Sequence, residues 1–238
     1  RWFWGWPCSS SSGGPSPAVA TRTVVPPCSC STATSRWVKP GSRSSDTVLT
    51  VGHRTYRRDV HAEPVTTDAP ALPRPVVMSQ DWRDLTFLHW AVDPASLERF
   101  MPPGVRPDVH ADRSYVGLVP FRMVDAGFAN GPAVPYLGTF LETNVRLYSV
   151  DADGRRGVVF LSLDTDRLAV VAGARAALRL PYRWASMSYR VDTVAGSPEH
   201  TYTARLRTPS RATSRLVVRV GEEREATDLD AFLTARWG

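Results

Sequence analysis

Phe140 to Tyr148, FLETNVRLY, sets an acid, an amide and a guanidinium at alternate positions of a 238-residue chain. In an extended strand, side chains alternate between faces, so Phe140, Glu142, Asn144, Arg146 and Tyr148 share one side. Leu141, Thr143, Val145 and Leu147 share the other. Turned into an enclosed space, Arg146 can hold a carboxylate bidentately and Asn144 can orient it. Glu142, deprived of water, can there keep a raised pKa suited to proton transfer. Turned to water, the same residues are ordinary surface charges, because antiparallel sheets commonly keep one wet face.

A similar choice attends FLSLD, where Ser162 and Asp164 share a face opposite Leu161 and Leu163: they line the same enclosed space or face solvent. Arg122 falls on the face of Val116, Leu118 and Pro120, a poor place for an unpaired charge, so a pairing or pocket role is expected of it. His89 sits beside Phe87 and reads as a satisfied core histidine before it reads as a base. His89, His110 and His200 are not at metal-ligand spacing, though distant ligands can still converge in space. No GxSxG, HExxH, GxxxxGK[ST] or GxGxxG motif occurs, and residues 78 to 238 lack cysteine. Nothing in the motifs calls for a cofactor or a metal.

These side chains need strands to position them. Leu85–Val92, Ser114–Val124, Gly138–Val150 and Arg156–Asp164 are rich in β-branched and aromatic residues, and Asp151–Gly154 reads as a hairpin turn. Asp93 and Pro94 open a short helix that stops at Pro102-Pro103-Gly104. LAVVAGARAALRL reads as strand into helix, with about Gly173 to Leu180 helical. WASMSYRVD, HTYTARLRTP and SRLVVRV are three further strands, and a capped helix starts near Asp228. The expected fold is mainly β, an antiparallel sheet or barrel with a few short helices.

Residues 1 to 77 differ from the rest. They hold the three cysteines, the only lysine (Lys39), half of the 20 prolines and no methionine. They carry nine Lys/Arg against four Asp/Glu, net +5, whereas residues 78 to 238 carry 20 against 19, net +1, which together give the +6 of the chain. The basic excess therefore lies in the segment least suited to folding, and nucleic acid is not expected as a partner. This segment is expected to be a disordered tail, or upstream sequence preceding a start at Met78, with the folded domain spanning 78 to 238. It has neither a secretory h-region nor a zinc-ligand pattern. No run approaches 18 apolar residues, so no membrane helix is expected, and a cytoplasmic location is the default.

Taken in order, WRDLTFLHWAVDPASLERFMPPGV, YVGLVPFRM, FLETNVRLY, GVVFLSLD, GARAALRLPYRWASM and FLTARW resemble the bacterial YqjF-like family. That family is an uncharacterised branch of the acetoacetate decarboxylase superfamily, and the resemblance runs from about Gln80 to Trp237. It implies a cone-like, closed or partly open barrel around a central cavity, and a domain that continues past FLTARW. Acetoacetate decarboxylases form a Schiff base on a lysine of depressed pKa. By similarity their Pro-Lys-Lys segment falls near Pro181-Tyr182-Arg183, where neither Tyr182 nor Arg183 can form an imine.

Two functions from different classes fit these residues. One is a binding protein for a small organic acid, with Arg146 or Arg122 gripping the carboxylate, Glu142 and Asn144 orienting it, and Asp164 and Arg183 as further ligand-binding residues. The other is a lysine-independent lyase or hydrolase in which Glu142 is the acid/base and Tyr182 or Asp164 assists. In the blandest reading all of them are structural. A small-molecule ligand is the expected partner, and homo-oligomerisation is left open.

Overall fold

Alternating β-branched and aromatic runs build the sheet in the computed structural model, which describes residues 61–69, 78–128 and 131–236. Its strands are β1 (Met78–Arg83), β2 (Leu88–Val92), β3 (Arg106–Pro107), β4 (Ser114–Phe128), β5 (Phe140–Val150), β6 (Arg156–Thr165), β7 (Tyr182–Val194), β8 (Ser197–Leu206) and β9 (Thr213–Arg219). The helices are α1 (Leu168–Leu178), α2 (Asp228–Thr234) and a 3-10 turn at Pro94–Phe100. The expected mainly β fold is therefore present. Most expectations for residues 1 to 77 lie outside the described residues. Glu63 does not: its backbone and carboxylate hydrogen-bond to Gly154 in the β5–β6 turn and to Arg156 at the start of β6.

The sheet runs β1-β4-β5-β6-β7-β8-β9, with β2 also on β4 and β3 on β5. The expectation of an antiparallel sheet needs one correction. β6 and β7 pair in parallel over Leu163–Thr165 and Tyr182–Trp184, because α1 carries the chain back between them. No pairing joins β9 to β1 among the described residues, so hydrogen bonds do not close the sheet into a barrel. It does curl: the Tyr202 hydroxyl on β8 donates to the Asp84 carbonyl and lies 3.1 Å from Thr86 Oγ1, both in the β1–β2 connection.

Local chemistry explains most boundaries. The Asp93 carboxylate caps the 3-10 turn by accepting from Ala95 N, with Pro94 in its first turn. Asp151 accepts from the amides of Asp153 and Arg155, and Gly154 takes φ 88°, closing the β5–β6 hairpin. Thr227 and Asp230 form a capping box at the start of α2. A second correction concerns Leu168–Val171, which is helical and not strand. Val171 is buried against Leu163 and Tyr182, and Val170 packs on two apolar clusters, so tertiary packing overrides the β preference of the two valines.

Candidate functional site

Cross-strand register fixes which side chains meet. β4 and β5 pair Gly117 with Arg146, Val119 with Asn144 and Phe121 with Glu142. β5 and β6 pair Glu142 with Thr165, Asn144 with Leu163 and Arg146 with Phe160. Leu161 is left over as a bulge, so Phe160 and Leu163, three residues apart, reach the same face. Directly paired residues share a face. The polar face of β5 is thus bordered by Val119, Phe121 and Leu163, and buried side chains from α1 and α2 pack on clusters at its two ends.

That face is not wet. Glu142, Asn144 and Arg146 are 3%, 1% and 6% exposed, and Thr165 is fully buried. The Tyr182 hydroxyl donates to Glu142 Oε2 at 2.8 Å. Burial pushes the Glu142 carboxyl up to about 7, against the lowering effects of Tyr182 and of the neighbouring Asn144 amide. The same burial, with the Glu142 charge beside it, raises Tyr182, so the phenol keeps its proton. The Asn144 N–H side faces Glu142, but its Oδ1, the Nε of Arg146 and the Oγ1 of Thr165 have no hydrogen-bond partner among the described residues.

The other end of the face is aromatic. The Arg146 guanidinium lies 4.9 Å from the Phe87 ring centre and 5.7 Å from that of Tyr148. His89 Nε2 is 2.6 Å from the Tyr148 hydroxyl, and its ring stacks on Phe87. Desolvation, helped by the Arg146 charge, lowers His89 to about 3, so its imidazole is neutral near pH 7. Gly117 permits this crowding. A Cβ there would lie 3.2 Å from both Arg146 Cγ and the Tyr148 hydroxyl.

The remaining sequence candidates separate from this group. Asp164 pairs with Thr143 and Arg122 with Leu141 in the strand register, so both lie on the opposite face from Glu142. Asp164 receives Arg183 bidentately at 2.6 and 2.9 Å, and Arg122 binds Asp84 at 2.9 Å with 42% of its side chain exposed. Of the two options for Ser162 and Asp164, lining the space beside Glu142 is the one the register removes. Tyr182, in contrast, does join Glu142. His110 tilts on Phe232 and His200 bonds the Tyr189 hydroxyl, and no metal-holding cluster occurs among the described residues. Sequence reading missed Thr165 and Gly117, since only the β6 bulge and the strand register reveal them.

A curled, mainly antiparallel sheet with a buried Glu-Asn-Arg row on a central strand is the class of protein defined here. The chain belongs to DUF2071, described as an uncharacterized conserved protein, whose family model matches residues 79–238. It is 34% identical over 111 residues to the uncharacterized protein YqjF of Bacillus subtilis (strain 168), covering 47% of this chain and 46% of that one. The matched part thus spans about half the length of that curated relative. The resemblance read from the sequence blocks holds. Among solved structures, acetoacetate decarboxylase from Legionella pneumophila is similar over 55% of this chain and 50% of its own, at 17% identity and a TM-score of 0.40. The enduracididine biosynthesis enzyme MppR, with HEPES buffer bound, is similar over 69% and 62%, at 18% identity and 0.41.

Proposed function

We propose that this protein binds a small organic acid on the inner row of β5, with Arg146 and Asn144 holding the carboxylate and Glu142 and Tyr182 orienting the rest. One observation carries this reading: Asn144 and Arg146 are buried, and Asn144 Oδ1 and Arg146 Nε are unpaired among the described residues. A buried polar group without a partner costs about 1–3 kcal/mol. A ligand that supplies the missing partners recovers that cost. Arg122, Asp164 and Arg183 then serve on the other face, tying strands and connections together by ion pairs. The curl that brings Tyr202 to Asp84, carried further, would enclose the site in a cone-like barrel, and a reducing cytoplasm suits a domain without cysteine.

The test is thermal unfolding against a panel of small carboxylates. A ligand at a hundred times its Kd stabilises by about 2.7 kcal/mol. The shift is expected in the parent protein and lost in Arg146→Gln. If no acid stabilises a cooperatively folded protein, the reading fails.

A second reading rests on the Glu142–Tyr182 pair. A carboxyl that titrates near neutrality beside a phenol donor is suited to general acid/base work, which makes a lysine-independent lyase or hydrolase the alternative. Turnover of a bound acid, abolished by Glu142→Gln with binding retained, would favour it over simple binding.

A further inference from the structure

Hydrogen-bond bookkeeping narrows the ligand beyond an acid. Arg146 Nε offers only a donor, as a carboxylate requires. Asn144 is different. Its N–H end faces the Glu142 carboxyl, whose pKa it lowers, while its Oδ1 has no partner among the described residues, so an acceptor is left over. A carboxylate has no proton to give it. The Thr165 hydroxyl, also without a partner there, sits on β6 opposite Glu142 and diagonal to Asn144 on the same face. A ligand hydroxyl, which both donates and accepts, satisfies Asn144 and Thr165 together.

Charge and spacing sharpen this. Arg146 is the cation of the row: His89 is held neutral beside it, and the nearby Arg236 is already bonded to Asp108. One carboxylate is therefore matched and a second is not. Consecutive inward side chains on a strand stand about 7 Å apart, so the hydroxyl at Asn144 and Thr165 lies several carbons from the carboxylate at Arg146. Val119 and Leu163, which flank Asn144 on the neighbouring strands, offer apolar surface to the carbons between.

We infer that the site takes a monocarboxylic acid bearing a hydroxyl several carbons from the carboxylate, with Asn144 and Thr165 as the specificity-determining residues. This rests on the acid-binding reading and names its ligand class.

Titration calorimetry on the intact chain with δ-hydroxyvalerate, valerate, lactate and glutarate tests it. δ-Hydroxyvalerate is expected to bind roughly ten- to a hundredfold tighter than valerate, because valerate leaves buried groups unpaired. It should also surpass lactate, whose hydroxyl is too close to the carboxylate, and glutarate, whose second charge has no cation. Asn144→Leu and Thr165→Val should each shrink the hydroxyl preference while valerate still binds. Binding to the parent protein in which valerate equals or exceeds δ-hydroxyvalerate overturns this inference and leaves acid binding standing. No binding of any of the four to the parent protein overturns both. The comparison among ligands is internal to the parent protein, so a variant that fails to fold does not decide it.

Discussion

Glu142 and His89 lie on one sheet face with pKa values displaced in opposite directions, which gives stability a particular pH profile. Glu142 is raised from 4.5 to about 7, so the folded state binds its proton more tightly than the unfolded chain. Its contribution is full below pH 4.5 and is lost as pH rises through 7, a change of about 3 kcal/mol. His89 is lowered from 6.5 to about 3, so its contribution is present above pH 6.5 and is lost as pH falls toward 3. Between pH 4.5 and 6.5 the two oppose each other. Above 6.5 the gain from His89 tapers off while the loss from Glu142 runs on to about pH 7. Glu142→Gln keeps an acceptor for the Tyr182 hydroxyl and removes that loss. Chemical denaturation from pH 5 to 8 should show the parent losing stability relative to the variant as pH rises toward 7. A parallel fall in both would mean that Glu142 is not the titrating group.

Much of the residue-scale picture was legible in the sequence because strand alternation is rigid. Glu142, Asn144 and Arg146 had to share a face wherever that face pointed. Whether the face was wet was not legible, since that depends on α1, α2 and the β1–β2 connection packing over it from distant parts of the chain. Tyr182 was placed near the site only through family resemblance, and its bond to Glu142 needs the short parallel pairing that no local pattern encodes.

At the scale of elements, β4 and β5 are the rigid pair that sets the site, and Gly117 is where they leave room. It lies opposite Arg146 in mid-strand, where glycine usually weakens a sheet, and its missing side chain admits Arg146, Tyr148 and His89 together. Gly117→Ala gains strand propensity of under about 1 kcal/mol. It also forces Arg146 Cγ and the Tyr148 hydroxyl to give by a few tenths of an ångström, and overpacking of this kind costs about 1–3 kcal/mol. A net loss of about 1 kcal/mol in urea unfolding is expected, together with weaker acid binding because the guanidinium is displaced. Unchanged stability and binding would show that the cluster has slack. The α1 segment shows the complementary limit of sequence reading: Val170 and Val171 look like strand residues until their apolar partners on β6 and β7 are known.

Across the whole molecule, Asp108 is the junction of parts remote in sequence. It is 1% exposed and accepts from Arg156 on β6 and from Arg236 just past α2, while its amide donates to the Tyr148 carbonyl on β5. Arg156 also donates to the backbone carbonyl of Glu63, so the segment around Glu63 reaches the same junction. Arg236 stacks on Tyr148 and Phe232, and because its guanidinium keeps its charge while buried, it depends on Asp108 for compensation. Removing the acid leaves that cation buried and uncompensated, which costs about 3–5 kcal/mol. Arg156→Met, with 15% of the arginine side chain exposed and Arg236 still in place, should cost well under half as much. Urea unfolding of Asp108→Ala and Arg156→Met provides the comparison. Because α2 carries Phe232 onto Tyr148, and Tyr148 holds His89 beside Arg146, Asp108→Ala should also weaken acid binding from a distance. Equal losses for the two variants would mean that Arg156, not Arg236, is the partner that matters, and that α2 is docked by its apolar face alone.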